Sequence, residues 1–545
     1  MNSCIRKLSI ILLSCIVLMP AMVGHIGSTQ AASDKPVSTE SIPTIEPQKG
    51  TSKTYSGLRE DLTGIHFETN GEKILVESKF SAPDGKWYIG SNQFFKHQRN
   101  IFQHDNWIEV RDIFTNLTDE NLPIMQVYSS KLGKRTKEVW LGCDKLPSGE
   151  GNVSESDNPS VFATTEKSGI GLLPLSDVFQ IHANQSATGG TIELSDKSFV
   201  LKPKNQYVAE WAIVPVDKPD MWAFVNSARR LLRVNFRIDN TSGINAKTII
   251  NVNCFIYNGP EREELFKDAR ILDAEGNHMI CGDTNNKLYV PTLNNAFGKE
   301  TAKSIDIILD KTGANGIFWD EFQTSRDSYA YNMWDNFSAD IDPETFKIKK
   351  LKGSVALLSL GWRMQQKMRI KDHSSISIKG TPSTRTERQL KMLGFTKIDD
   401  ITNCNRMLLY TPVALGDSNT ERTEKDAYGT MLKALDYGCL YLWNNAEIAS
   451  TFKTLTEYMY PFTPIELHSG YVIGRERILT NKSGVFGWGD KSDFTAHVFD
   501  ADGRETTSIQ VPKVEKDDKT YAEVKIPDGH SVALVRIPAS RKSVK

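Results

Sequence analysis

Gly313-Ala314-Asn315-Gly316-Ile317-Phe318-Trp319-Asp320-Glu321-Phe322 is the stretch that decides how the chain is read. Just upstream, Ile305, Ile308, Leu309 and Thr312 recur at i, i+3, i+4 and i+7, one face of a helix. Gly313 suits the cap of that helix, because without a Cβ it takes positive φ freely. Gly316 to Trp319 is too short for a helix and rich in large apolar side chains, so it reads as a buried strand. Helix, tight turn and buried strand make the αβ step of an α/β fold, where catalytic groups gather at the carboxyl ends of strands. Asp320 and Glu321 stand at such an end, between Trp319 and Phe322. Carboxyl groups flanked by apolar side chains have the surroundings that acid–base or nucleophilic work requires.

Working outward, the helical period begins at Pro219-Asp220 and alternates with strand-like runs to about residue 469. Eight strands are expected: Arg233–Phe236, Ile250–Tyr257, Lys287–Val290, Gly316–Trp319, Ser375–Lys379, Met407–Thr411, Cys439–Trp443 and Thr463–Leu467. Eight strands separated by helices over about 250 residues is the size of a (β/α)8 TIM barrel, here 217–469. A doubly wound open sheet is the alternative, and no GxGxxG follows a strand to support a dinucleotide-binding version. Residues 53–216 instead alternate with period two between turns rich in Gly, Asn, Asp and Pro, which predicts an N-terminal β-sandwich. The helices stop after Gly470, and 470–545 reads as a small C-terminal β-sandwich.

The 545 residues carry a formal net charge of −1, which gives no electrostatic footprint for a nucleic-acid partner. Residues 1–32 read as an export signal: Arg6 and Lys7, then an apolar run, then Ala31-Ala32-Ser33 as a cleavage site. A polar, Pro-containing linker, 33–52, follows. No later run is long enough to span a bilayer. These features predict a secreted or periplasmic protein. Five of the seven cysteines lie beyond the signal, an odd number without CxxC spacing, so free thiols are expected. Neither HxH nor HExxH occurs, so no metal site and no cofactor are expected. The oligomeric state is left open.

Asp320 and Glu321 would open into the mouth of the predicted barrel, on its fourth strand. Other polar and aromatic residues fall at comparable places: Asp239 after the first strand, Tyr289 at the third, Lys379 at the fifth, Asp417 after the sixth, Trp443 and Glu447 after the seventh, Glu466 and His468 at the eighth. Trp319 and Asp335, the latter in a long fourth loop with Trp334, complete the set of substrate-binding candidates. Carboxylates that bond hydroxyls, interleaved with aromatic faces that stack on pyranose rings, make a carbohydrate site. Cleaving a glycosidic bond requires two carboxyl groups in different protonation states across it.

The order β-sandwich, barrel, β-sandwich, with Gly316-Ile-Phe-Trp-Asp-Glu-Phe322, Trp334-Asp335 and the exit segment Glu466–Ile478, resembles barrel-type glycoside hydrolases of the α-galactosidase and α-glucosidase kind. The resemblance implies a retaining hydrolase of oligo- or polysaccharides, with a fourth-strand Asp as nucleophile, here Asp320. It places the acid after the sixth strand, where the carboxylate is Asp417. Families with an acid at strand four and a nucleophile at strand seven would use Glu321 and Glu447 instead. A non-catalytic carbohydrate-binding or scaffold protein on a degenerate barrel is the alternative function.

Overall fold

The computed structural model describes residues 43–47, 53–154, 156–239, 249–281, 286–314, 316–320, 328–373, 375–397, 401–417, 420–443 and 452–537. The signal segment, most of the 33–52 linker, and the candidates Glu321 and Glu447 lie outside these residues. Thr44–Lys545 form one compact unit. Of the other unit, Met1–Pro43, only Pro43 is described.

Between Ser56 and Val216 the chain builds a seven-stranded and an eight-stranded antiparallel sheet. Period-two patterning does the work: along Ile108–Asn116 every second residue is buried. Inward side chains of both sheets meet in one apolar cluster that includes Ile65, Phe67, Phe114 and Ile170, which makes the pair a sandwich. Asp112 occupies the same inward row. It accepts bonds from Arg99 Nε (2.6 Å) and Trp211 Nε1 (2.8 Å) and contacts His97 Nε2 at 2.8 Å. Burial pushes its carboxyl up, but the Arg99 charge and the bonds from His97 and Arg99 outweigh burial and hold it well below the usual range.

The centre is a sheet of six parallel strands in chain order: β1 (Ile249–Asn253), β2 (Gly316–Asp320), β3 (Ser375–Lys379), β4 (Leu393–Lys397), β5 (Val413–Leu415) and β6 (Leu440–Leu442). Sequential order without reversal is the topology of a barrel wall rather than of a doubly wound sheet. The wall does not close among the described residues, so the predicted eight-stranded barrel is reduced to an α/β sheet flanked by all-β layers. Helices fill the connections. Met221–Leu232 (α1) is capped by Asp220, which accepts from the Trp222 N–H at 2.9 Å. Ala296–Lys311 (α2) is capped by Asn295 and is followed by Gly313 at φ +71°, as its glycine predicted. Leu360–His373 (α3) lies against α2, where the Trp362 indole donates to the Gly298 carbonyl at 2.9 Å. Glu424–Asp436 (α4) opens with a capping box between Thr423 and Asp426. Ile305 of α2 and Trp362 and Ile370 of α3 pack with Ile317, Trp319, Ile376 and Ile378 of the sheet.

Four of the eight expected strands fall elsewhere. Arg233–Phe236 is a left-handed cap (Arg233, φ +56°) followed by residues in no strand, and Ile238 bridges Phe462 in the antiparallel sense. Of Lys287–Val290 only the first residue is in a strand, Asn286–Lys287, paired antiparallel with Ile280–Cys281. Met407–Thr411 starts on the last residue of a helix, Ile401–Met407, and is held by Arg229 of α1, which donates to the Leu408 and Tyr410 carbonyls at 2.5 and 2.8 Å. The strands here are β4 and β5. β4 was hidden by Gly394, where a Cβ would come within 2.5 Å of the Gly380 carbonyl oxygen. The last, Pro464–His468, pairs antiparallel with Tyr471–Gly474 in a six-stranded C-terminal sheet. That sheet packs on a four-stranded one through Ile473, Ile478, Phe486, Trp488 and Val532. Period and apolarity give a strand's existence; they do not give the direction of its partner.

Candidate active site

Parallel pairing fixes which side chains share a face. Asn253 is level with Asp320, Asn251 with Phe318, and Phe318 with Ser377. Lys379, two residues after Ser377, is level with Phe395. One face of the sheet at its carboxyl end therefore presents Asn251, Asn253, Asp320 and Lys379. On the same face Phe318, level with Asn251, and Phe395, level with Lys379, stack with ring centroids 5.2 Å apart. The Asp320 carboxylate is half-buried. Its Oδ2 accepts from Asn251 Nδ2 at 3.2 Å, and its Oδ1 lies 3.5 Å from Lys379 Nζ. The Lys379 side chain is 45% exposed, so the ammonium is within reach of a ligand in solvent.

The arrangement can hold a carboxylate oxygen at a fixed point beside a stacked pair of rings, with an amide and an ammonium orienting it. A short side chain on a sheet-anchored base restricts that oxygen to a small volume, as nucleophilic attack requires. Among the described residues, no group of three or more His, Cys, Asp or Glu is spaced to hold a metal ion.

Of the sequence candidates, Asp320 and Lys379 are brought together. Asp417, half-buried, follows β5 at the same end of the same sheet, and its carbonyl accepts from the Glu421 N–H at 2.9 Å. Trp443, half-buried, follows β6 and packs against the apolar cluster there. Asp239 is exposed and pairs with Arg237 at 2.8 Å.

Four assignments are corrected, with Glu466 and His468 as one. Trp319 has the opposite parity to Asp320 and is fully buried on the helix side, edge-on to Trp362 at 5.8 Å, so it is core. Tyr289 is fully buried among Phe266, Phe297 and His278. Asp335 is 7% exposed and accepts from the Phe337, Ser338 and Ser354 N–H groups and from the Ser338 hydroxyl; it ties a loop together. Glu466 and His468 belong to the antiparallel C-terminal sheet, where they bond each other at 3.0 Å and His468 stacks on Tyr471.

Asn251 and Asn253 were missed. The signal was present: in Ile249-Ile-Asn-Val-Asn253 polar and apolar residues alternate, so one face of the strand is polar. A second constellation has the spacing of a hydrolytic triad, Ser338 Oγ to His182 Nε2 at 2.7 Å and His182 Nδ1 to Asp196 Oδ2 at 3.0 Å. It is excluded as a reaction centre, because all three residues are at most 2% exposed and the Ser338 hydroxyl donates to Asp335.

No protein-family model matches the sequence, and no curated protein matches it. Among solved structures the chain is similar to a GH36 alpha-galactosidase from Geobacillus stearothermophilus in complex with stachyose, at 9% identity and a TM-score of 0.48 over 89% of this chain and 86% of that one. It is similar to a GH31 family sulfoquinovosidase from E. rectale at 10% identity and a TM-score of 0.42, over 89% and 98%. It is also similar to an alpha-N-acetylgalactosaminidase from Bifidobacterium bifidum at 8% identity and a TM-score of 0.43, over 80% and 97%.

Proposed function

We propose that the protein is an exported, retaining glycoside hydrolase of oligo- or polysaccharides with Asp320 as nucleophile. The observation that carries this reading is the Asp320 carboxylate, held at the carboxyl end of a central parallel strand by Asn251 and Lys379. In the proposed reaction an Asp320 oxygen attacks the anomeric carbon while a second carboxyl group protonates the departing glycosidic oxygen. Water then displaces Asp320 from the glycosyl–enzyme, giving its proton to the second group, now a carboxylate. We assign that second role to Asp417, which lies at the same end of the sheet as Asp320. Glu466 is set aside, because it belongs to the antiparallel sheet. Lys379 and Asn251 are positioning residues for the Asp320 oxygen, and Lys379 can also donate to a sugar hydroxyl.

The test is a screen of aryl glycosides and oligosaccharides with the purified chain, followed by proton NMR of the first-formed anomer. Turnover with net retention, lost in Asp320→Asn, is the expected result. Turnover with inversion removes the nucleophile assignment. The ion pair between Lys379 and Asp320 also favours a second reading, a sugar-binding protein in which the carboxylate has been neutralised in place. Sugar binding without turnover at any pH selects that one.

A further inference from the structure

We propose a second carbohydrate-binding site, non-catalytic, in a cavity of about 480 Å³ at the end of the N-terminal sandwich. The cavity lies where an edge strand of the eight-stranded sheet, Ser56–Asp61, approaches an edge strand of the seven-stranded sheet, Phe95–Gln103. No residue of β1–β6 lines it. Its volume falls in the range of small-ligand pockets, about 300–1,000 Å³.

The floor is built in advance. The Arg99 side chain is 6% exposed, and three of its bonds are spent inside the protein: Nε and Nη2 on Asp112 and Nη2 on the Ser78 hydroxyl. Its Nη1 faces the cavity wall, 3.7 Å from Glu60 Oε1. The Ser78 hydroxyl accepts from Arg99, which leaves its own proton to give. The Asp61 carboxylate is taken up by Arg59, Thr63 and His66, which leaves Glu60 to supply acceptors from the same hairpin, whose turn is fixed at Gly64. There φ is +139°, and a Cβ would come within 2.3 Å of the Val76 carbonyl oxygen. Two aliphatic side chains form the lip, Leu62 at 85% exposed and Ile89 at 60%.

This lining discriminates among ligands. An inorganic anion would meet Glu60 and Asp61, and the Arg99 charge is already balanced by Asp112. A simple cation would meet Arg99 over the floor. A neutral ring with hydroxyls around its rim and an apolar face satisfies the groups that remain: hydroxyl protons to Glu60, hydroxyl oxygens to Arg99, the apolar face to Leu62 and Ile89. That is a pyranose. The ligand class follows from the lining and does not depend on the role of Asp320.

The test is saturation-transfer NMR and calorimetric titration of the full chain with D-galactose, D-glucose and D-mannose, repeated on Glu60→Ala, Leu62→Ser and Asp320→Asn. Arg99 is left intact because it bonds the buried Asp112. The expected result is binding of at least one sugar that survives in Asp320→Asn and weakens about tenfold in Glu60→Ala, the loss of one hydrogen bond to a charged group. Leu62→Ser should weaken it as well, with the melting temperature of both variants unchanged. The proposal is overturned if none of the three sugars binds, if binding is lost only in Asp320→Asn, or if both cavity variants bind as the parent does.

Discussion

Lys379 on β3 holds its ammonium 3.5 Å from the carboxylate of Asp320 on β2, across two strands that the chain reaches 59 residues apart in sequence. The pair is half open to solvent, so its value to stability is small, and its consequence is where the Asp320 oxygens point. Replacing Lys379 by Met should leave the melting temperature within a degree or two and lower kcat by roughly 10–100-fold, the range for losing a hydrogen bond to a charged group. Steady-state kinetics with thermal unfolding on the same sample checks both halves.

Asp320→Asn keeps the shape of the side chain and its contact with Asn251 while removing the oxygen proposed as nucleophile. Turnover should fall by about 10⁴-fold or more, on the scale of losing a catalytic nucleophile. Azide added to an Asp320→Ala variant should restore cleavage with formation of a glycosyl azide of inverted configuration. Absence of that product, in a variant that folds and binds sugar, counts against the assignment.

If Asp417 protonates the leaving oxygen, its loss should matter in proportion to the proton demand of the leaving group. Asp417→Asn should cost about 10²–10⁴-fold on an alkyl glycoside and far less on a dinitrophenyl glycoside. Equal losses on both substrates would assign Asp417 to binding instead.

Trp319→Ala should act on the fold. The indole is fully buried between β2 and α3, so truncation leaves a large cavity and should destabilise by about 3–5 kcal/mol. Denaturant titration would read this as a lower midpoint. KM of the protein that remains folded should be close to that of the parent.

Behind the sheet, Arg363 and Lys367 of α3 both contact Glu387 Oε1, at 2.8 and 2.7 Å, with all three side chains fully buried. Glu387→Gln leaves buried cations facing a neutral amide and should cost about 3–5 kcal/mol. Burial pushes the Lys367 ammonium down to about 7, against 10.5 for an ordinary lysine, with Glu387 opposing the shift. Between those two values the unfolded chain holds the proton more tightly than the folded one. Unfolding therefore takes up a proton, and the stability contribution rises as pH goes from about 7 toward 10. Below pH 7 both states are protonated and the penalty is constant. The difference in unfolding free energy between the parent and Lys367→Met, followed from pH 6 to 10, should rise in the parent's favour. A flat difference would show that Lys367 keeps its proton throughout.

Local order in the sequence was enough to fix some things. The apolar run Gly316–Trp319, the glycine at 313 and the 3.6-residue period before it are contiguous, so α2, its termination and β2 could be read without knowing what they touch. Period-two patterning likewise gave the N-terminal sandwich. Parity alone could have turned Trp319 away from Asp320, since neighbouring strand residues face opposite sides. What the tertiary structure decided is everything that depends on partners distant in sequence. Pro464–His468 has the composition of a parallel strand, and only its antiparallel pairing with Tyr471–Gly474 removed Glu466 and His468 from the site. Asp335 looked like a ligand-binding acid until three backbone N–H groups, one of them 19 residues away, were found to occupy it. Asn251 and Lys379 reach Asp320 because hydrogen-bonded strands bring residues 69 and 59 positions away in the sequence onto one face beside it. A sequence specifies which residues are apolar, polar or charged at each step of a local repeat. The register between strands, which selects the groups that meet, is set by the packing of the whole sheet against its helices.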